Sequence, residues 1–290
     1  MALDTLLGGG MSLSFEVFPP KQDRPLEPLL ATLDNLYTFE PDFISCTYGA
    51  GGTNKGRSLE ICEAISRAGR ADALAHFTCV GNTREGIASE LEGYRAAGVK
   101  SVLALRGDLP EGWEGTRGDF EHSSELMEYI KSLAGDLAIG AACYPEKHIA
   151  AQSLEADIDA LLLKQRAGAG FAISQLCYDP EGYARFIEKA RNKGFKLPVA
   201  IGVLPVLSRD GLLRMTLSNG CSIPAALSEI IGKYGERPDD FKKAGKEYTA
   251  ALIDRFLKED IAGIHLYTLN NRNDAAEVLA MSDFKRGARA

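Results

Sequence analysis

The sequence predicts an α/β fold, a closed (β/α)8 TIM barrel with extra helices before the last strand. Three observations carry this. Short apolar runs alternate with helical stripes, eight times in about 280 residues. Most of the runs are almost continuously apolar, as in parallel strands covered on both faces. The first run ends Phe18-Pro19-Pro20-Lys21, without the glycine fingerprint by which an open doubly wound sheet marks a dinucleotide site.

The elements follow in order. Strand one is expected over Leu13–Pro19, and Leu26, Leu29, Leu30, Leu33 and Leu36 form the stripe of the next helix. Strands two to four are expected over Phe43–Gly49, Ala73–Val80 and Ser101–Asp108, with helices between them that stop near Gly69 and Gly98. A further helix stops near Gly135 before strand five, Leu137–Pro145. Leu154, Ile158, Leu161 and Leu162 form the next stripe, ending near Gly168 before strand six, Phe171–Asp179. Asp179-Pro180 and Ser208 read as helix starts, Gly194 as a helix stop, and Pro198–Pro205 as strand seven. The segment Ser222–Ile261 is long for one connection and predicts extra helices, one of them from Asp239 to about Lys258, before strand eight at Ile264–Asn270.

The division expected is a tail over residues 1–11 outside the fold and a single catalytic domain over 12–290. Met1–Gly10 has no basic start and too short an apolar stretch for a secretory signal, and a cytoplasmic protein is expected. Hydrophobic residues make up 45% and charged residues 25%, an ordinary globular mix that argues against disorder. Asp+Glu number 40 against 33 Lys+Arg, so the chain carries a net charge of -7 and is not expected to bind nucleic acid. No apolar run is long enough to span a bilayer. Cys46, Cys62, Cys79, Cys143, Cys177 and Cys221 form no CxxC pair, so buried reduced thiols are expected rather than disulfides or a metal site.

A barrel of this kind builds its site from the C-terminal ends of its strands. Seven of the eight predicted strands carry a polar or ionisable group there. Glu16 sits in Phe15-Glu16-Val17-Phe18. A carboxyl among apolar neighbours is costly to bury ionised, which suits a general acid, while a structural pairing with a cation is the alternative. Asp108 stands two residues after Arg106, which in an extended strand puts both on one face. They read either as a local ion pair or as an anion set beside something that becomes positive in turnover. The loop Gly49–Ser58 almost imitates a phosphate-binding P-loop, but Arg57 stands where Lys belongs, and a flexible loop approaching a ligand is the better reading. His122, His148 and His265 lack metal-ligand spacing, and no metal is expected; His265 reads as a core histidine. Trp113 reads equally as a cover for a ligand or a cap on the barrel mouth.

Seven motifs occur in register at these strand ends: Phe15-Glu-Val-Phe-Pro-Pro-Lys21, Thr47-Tyr-Gly-Ala50, His76-Phe-Thr-Cys79, Leu105-Arg-Gly-Asp-Leu-Pro110, Tyr144-Pro-Glu-Lys-His148, Ile173-Ser-Gln175 and Gly202-Val-Leu-Pro205. Together they closely resemble the catalytic barrel of the 5,10-methylenetetrahydrofolate reductases, in the bacterial type without a regulatory domain, from about Ser12 to the C-terminus. The resemblance implies non-covalent FAD, NADH or NADPH as electron donor, a folate substrate and a ping-pong scheme. It implies Glu16 as the acid that protonates N10 of the folate and opens the five-membered ring to an iminium cation. Asp108 would stabilise that cation and disfavour an anionic reduced flavin. Gln175 would grip the pterin, with Tyr267 and Arg272 also at the substrate. Thr47, His76, Arg106, Gly107, Asp108, Tyr144, His148, Asp157 and Lys164 match flavin-contacting positions, as do His122 and Ser123 at a helix start.

The chain departs from the family's best-known pattern at five places. Ala160 and Leu163 stand where polar flavin contacts precede Lys164. Gly211 and Met215 stand where a Gln and a Phe meet the folate. Asn271 replaces the substrate arginine, with Arg272 one place late. A homo-oligomer is expected, with a partner redox subunit left open. Two other functions compete: a flavin-free pterin barrel that transfers a one-carbon group, and a dependent subunit of a larger redox complex.

Overall fold

A computed structural model describes residues 3, 7, 9–48 and 55–285. Eight parallel strands close on themselves in chain order: β1 (Ser12–Val17), β2 (Phe43–Cys46), β3 (Asp72–Thr78), β4 (Ser101–Leu105), β5 (Ala138–Cys143), β6 (Phe171–Ser174), β7 (Val199–Val203) and β8 (Gly263–Tyr267). The seam is β1 on β8, with Glu16 opposite Tyr267 and Ser14 opposite His265. Helices α1 (Glu27–Leu36), α2 (Lys55–Ala68), α3 (Arg84–Ala96), α4 (Ser123–Leu133), α5 (Leu154–Arg166), α6 (Pro180–Asn192) and α7 (Arg209–Asn219) follow strands one to seven. The predicted insertion before β8 is α8 (Ala225–Tyr234) and α9 (Pro238–Phe256), and α10 (Arg272–Met281) closes the ring after β8.

Several local signals act as their chemistry dictates. Ser208 caps α7 by accepting the Gly211 N–H, and Pro180 starts α6 behind Asp179. Gly69, Gly98, Gly168 and Gly194 take positive φ after their helices, whereas α4 ends on Ala134 and Gly135 has no positive φ. The strands stop earlier than the apolar runs do. Their last residues leave the ladder to form the mouth, and Leu269 and Asn270 turn at φ 50° and 56°.

Alternate strand residues serve two cores. Phe15, Val17, Ile44, Cys46, Ala75 and Phe77 pack outward beneath the helices. Phe43, Leu74, Leu103, Phe171 and Ile173 fill the barrel interior. Leu3 and Leu7 join that interior cluster at 0% and 3% exposure, and both are helical. Leu3 and Leu7 thus depart from the expected tail outside the fold, while residues 1, 2, 4–6 and 8 lie outside the described residues. The barrel floor is apolar and needs a cover, and two leucines four apart supply one helical face for it.

The six cysteines are free thiols, five of them buried. Among the described residues, no helix is long and apolar enough to cross a membrane, and no group of three or more His, Cys, Asp or Glu is placed to hold a metal ion.

Candidate active site

The interior changes character along the barrel axis. Above the apolar floor come Ser14, Ser45 and His265, and above these Glu16, His76 and Tyr267. A cavity of about 710 Å³ opens over them at the C-terminal ends of the strands. That size lies in the range of small-molecule sites.

Glu16 lines this cavity with its side chain 19% exposed. Its neighbour Phe15 faces the helices instead, so the carboxyl meets polar groups. Nε2 of His76 lies 3.4 Å from Glu16 Oε2, and Nε2 of His265 lies 3.8 Å from the same oxygen. His265 is fully buried, stacked 5.6 Å from Phe43, with Nδ1 2.8 Å from Ser14 Oγ. It is a core residue, as expected, but one whose far nitrogen faces the candidate acid. The sequence signal was its spacing, two residues before Tyr267 on one strand. Burial pushes the His76 imidazole below its ordinary range, with the Glu16 charge opposing.

Tyr267 lines the same end and donates its hydroxyl to the Ser174 carbonyl, 3.0 Å away across β7. It passes over Gly202, where a Cβ would collide with that carbonyl and with the phenol oxygen. Burial and the Glu16 charge push the Tyr267 phenol well up. Gln175 follows β6 directly; its Oε1 accepts the Leu176 N–H at 2.8 Å and its Nε2 donates to Asn219 Oδ1 at 2.9 Å.

Arg106, Gly107 and Asp108 all line the cavity, but not as an extended strand. Gly107 takes φ 88°, in the left-handed region open to glycine, and a Cβ there would press on Thr78 at 3.1 Å. The alternation of faces is therefore broken between Arg106 and Asp108. Arg106 Nε donates to the Gly107 carbonyl at 3.2 Å, and no ion pair joins Arg106 to Asp108 among the described residues.

The other arm of the cavity is lined by Tyr144, His148, Asp157 and Lys164, with His122 and Ser123 at the start of α4. Asp157 Oδ2 accepts the His148 main-chain N–H at 2.7 Å. His148 Nδ1 accepts from the Ala150 N–H at 3.1 Å, which places the ring proton on Nε2. Its ring stands edge-on to Tyr144, 4.7 Å between centroids. Burial and then Arg106 push the His148 pKa down. Lys164 Nζ donates to the Ala142 carbonyl at 2.8 Å and lies 5.4 Å over the Tyr144 ring. Burial lowers its pKa against the pull of Asp157. The N-terminal N–H groups of α4 add partial positive charge at Ser123 and Ser124.

Thr47 lines the cavity as well, and its carbonyl accepts the Ser58 hydroxyl at 2.8 Å. Residues 49–54 of the Gly-rich loop lie outside the described residues; Arg57 beyond them donates to the Gln22 carbonyl at 2.7 Å. Trp113 packs on Gly81 beneath Arg117, whose guanidinium lies 4.7 Å over the ring, and it does not line the cavity. Arg272 is the one predicted site residue placed outside the lining. Asn271 takes the N-cap of α10, and Arg272 begins the first turn exposed to solvent. Ala160 and Leu163 give the α5 wall an apolar surface, and α7 contributes Met215 and Asn219. Asn219 is the residue sequence reasoning missed; its signal was the four-residue step from Met215 on one helix face.

A closed (β/α)8 barrel that opens at its C-terminal mouth on a cavity lined by Glu16, His76, Asp108 and Gln175, with Arg106 and Lys164 among its walls, defines a barrel enzyme. The chain belongs to the methylenetetrahydrofolate reductase family, whose model matches residues 3–283. It is 31% identical to the 5,10-methylenetetrahydrofolate reductase of Pectobacterium carotovorum subsp. carotovorum, over 91% of this chain and 87% of that one. Likeness to the Escherichia coli (strain K12) enzyme of the same name is also 31%, over 90% and 87%. The Arabidopsis thaliana methylenetetrahydrofolate reductase (NADH) 1 is 32% identical over 93% of this chain, which spans only 48% of the plant protein. In structure, the chain shares its fold with an uncharacterized protein from Clostridium thermocellum that binds two copies of 5-methyl-5,6,7,8-tetrahydrofolic acid, at a TM-score of 0.66, 14% identity and 96% coverage of both chains.

Proposed function

We propose that this chain reduces 5,10-methylenetetrahydrofolate to 5-methyltetrahydrofolate, with FAD held non-covalently in the cavity and NADH or NADPH as reductant in a ping-pong scheme. The observation that carries the reading is the sharing of one cavity by Glu16, Asp108 and Gln175 with an arm that presents the donors Lys164 and His148. When bound, the flavin supplies a two-electron relay, taking hydride from the nicotinamide and giving it to the folate.

The residues present fit that cofactor. Among the described residues His76 Nε2 is a buried polar atom with no hydrogen-bond partner, at the cavity wall, where a polar edge of the flavin would satisfy it. Lys164, Arg106, the His148 Nε2–H and the α4 N-terminus near His122 and Ser123 form the donor set a pyrophosphate and ribose require. Thr47, Gly107, Tyr144 and Asp157 complete that cradle.

At the other end Glu16 protonates N10 of the folate, which opens the imidazolidine ring to an iminium cation. The cation then accepts hydride at its exocyclic carbon. Asp108 stabilises the positive charge electrostatically. Gln175 holds the pterin and Tyr267 closes the wall beside it. Arg272 would reach the folate from outside the cavity lining.

Anaerobic titration tests this. The purified protein should be yellow, bleach with NADH or NADPH alone, and regain its absorbance on adding methylenetetrahydrofolate. A colourless protein that FAD cannot reconstitute would instead support the flavin-free transferase. Flavin that neither nicotinamide reduces would support a partner subunit as donor.

A further inference from the structure

Helix α7 brings Met215 and Asn219 to the cavity, although neither is the polar group the family pattern places on that helix. Asn219 Nδ2 donates to the Met215 carbonyl at 2.8 Å and to Ser218 Oγ at 3.4 Å. A main-chain carbonyl only accepts, so Asn219 Oδ1 must face the other way. There it accepts from Gln175 Nε2 at 2.9 Å. Gln175 Oε1 in turn accepts from the Leu176 N–H at 2.8 Å, a group that only donates.

The two side-chain amides thus form a relay with an obligate donor at one end and an obligate acceptor at the other. Turning either amide over would set N–H against N–H or oxygen against oxygen, so the relay has one direction. A glutamine amide has two donors and two acceptor sites, and the relay takes one of each. One N–H and one lone pair of Gln175 remain, in fixed order.

We propose that Asn219 is a positioning residue that locks the amide of Gln175, so that the cavity offers a donor and an acceptor in one order and selects heterocycles with a cyclic amide edge. That edge, an N–H beside a C=O, is the one a pterin presents. The proposal deepens the folate reading and rests on it.

The test is calorimetric titration of the purified protein, with its bound cofactor, by 5-methyltetrahydrofolate. Asn219→Leu removes the acceptor and is expected to weaken binding about tenfold, the effect of losing one oriented hydrogen bond. In a Gln175→Leu background the same change is expected to have no further effect. A merely structural Asn219 would act equally in both backgrounds. Asn219→Asp keeps an acceptor toward Gln175 but sets its second oxygen against the Met215 carbonyl, and is expected to bind more tightly than Asn219→Leu and more weakly than wild type. Asn219→Ala replaces the leucine variant if that one does not fold. Wild-type affinity in Asn219→Leu, or an equal loss in both backgrounds, overturns the role of Asn219 and leaves the folate reading standing. Failure of the wild type to bind the folate overturns both.

Discussion

Nε2 of His76 stands 3.4 Å from Oε2 of Glu16, and among the described residues this nitrogen has no hydrogen-bond partner. Burial keeps this imidazole toward its neutral form. A neutral ring puts no positive charge beside the carboxyl. Beneath it, Ser14 Oγ donates to the Ile264 carbonyl at 3.2 Å and accepts from His265 Nδ1 at 2.8 Å. The second imidazole turns its other nitrogen toward Ser45 Oγ at 3.4 Å and Glu16 Oε2 at 3.8 Å.

From this follows the behaviour of Glu16→Gln. The amide keeps the shape and loses the acid. Nicotinamide oxidation and flavin content should persist, while folate reduction falls by about 10²- to 10⁴-fold, the usual span for a general acid. Stopped-flow traces of the two half-reactions separate these outcomes. A normal rate of methylenetetrahydrofolate reduction in the variant would remove Glu16 from the acid role.

Asp108→Asn addresses the electrostatic part. Removing one negative charge near the flavin makes the cofactor easier to reduce, so the midpoint potential should rise. Equilibration against a reference dye measures it. An unchanged potential would mean that Asp108 does not act on the flavin through its charge.

Much of this site was legible before any coordinates, because period-two strands put chemistry at predictable places. Glu16, Gln175 and Tyr144 fall at the barrel mouth as the alternation of strand and helix requires, and Lys164, which only the family resemblance implied, joins them from α5. Other features were hidden. Phe15 made Glu16 look wrapped in aromatic side chains, yet the two residues face opposite sides of β1. The Arg106–Asp108 pair followed extended-strand logic until the positive φ of Gly107 broke it. Arg272 misses the cavity lining because Asn271 claims the helix cap, a contest of local hydrogen bonds that spacing does not reveal. Asn219 acts through another side chain, and only coordinates show such a contact.

The buried histidines predict a pH dependence with a definite sign. His76 and His148 are held below their ordinary value of 6.5 in the fold. In the unfolded chain both protonate near that value, so acidification favours unfolding. Their neutral form is fully compatible with the fold above pH 6.5, and stability is lost as pH falls from there toward the lowered folded values. His76→Gln removes one share of this effect. The urea midpoint of wild type relative to His76→Gln should therefore rise between about pH 5 and pH 7. A difference independent of pH would show that His76 titrates in the barrel as it does in the unfolded chain.

The floor of the barrel gives a stability prediction remote from the chemistry. Leu3 and Leu7 pack with Phe43, Leu74, Leu103 and Phe171 at the end opposite the mouth. A fully buried leucine contributes about 1.5–3 kcal/mol, and less when the unfolded chain is itself compact. A chain beginning at Met11 would lose both and leave an apolar floor open to water. Its unfolding free energy should drop by about 2–5 kcal/mol, with flavin content at the mouth retained in the folded fraction. Leu3→Ser combined with Leu7→Ser should reproduce the drop, because the cause is burial rather than chain length. Equal urea midpoints for the truncated and full chains would show that these leucines cover nothing the barrel needs covered.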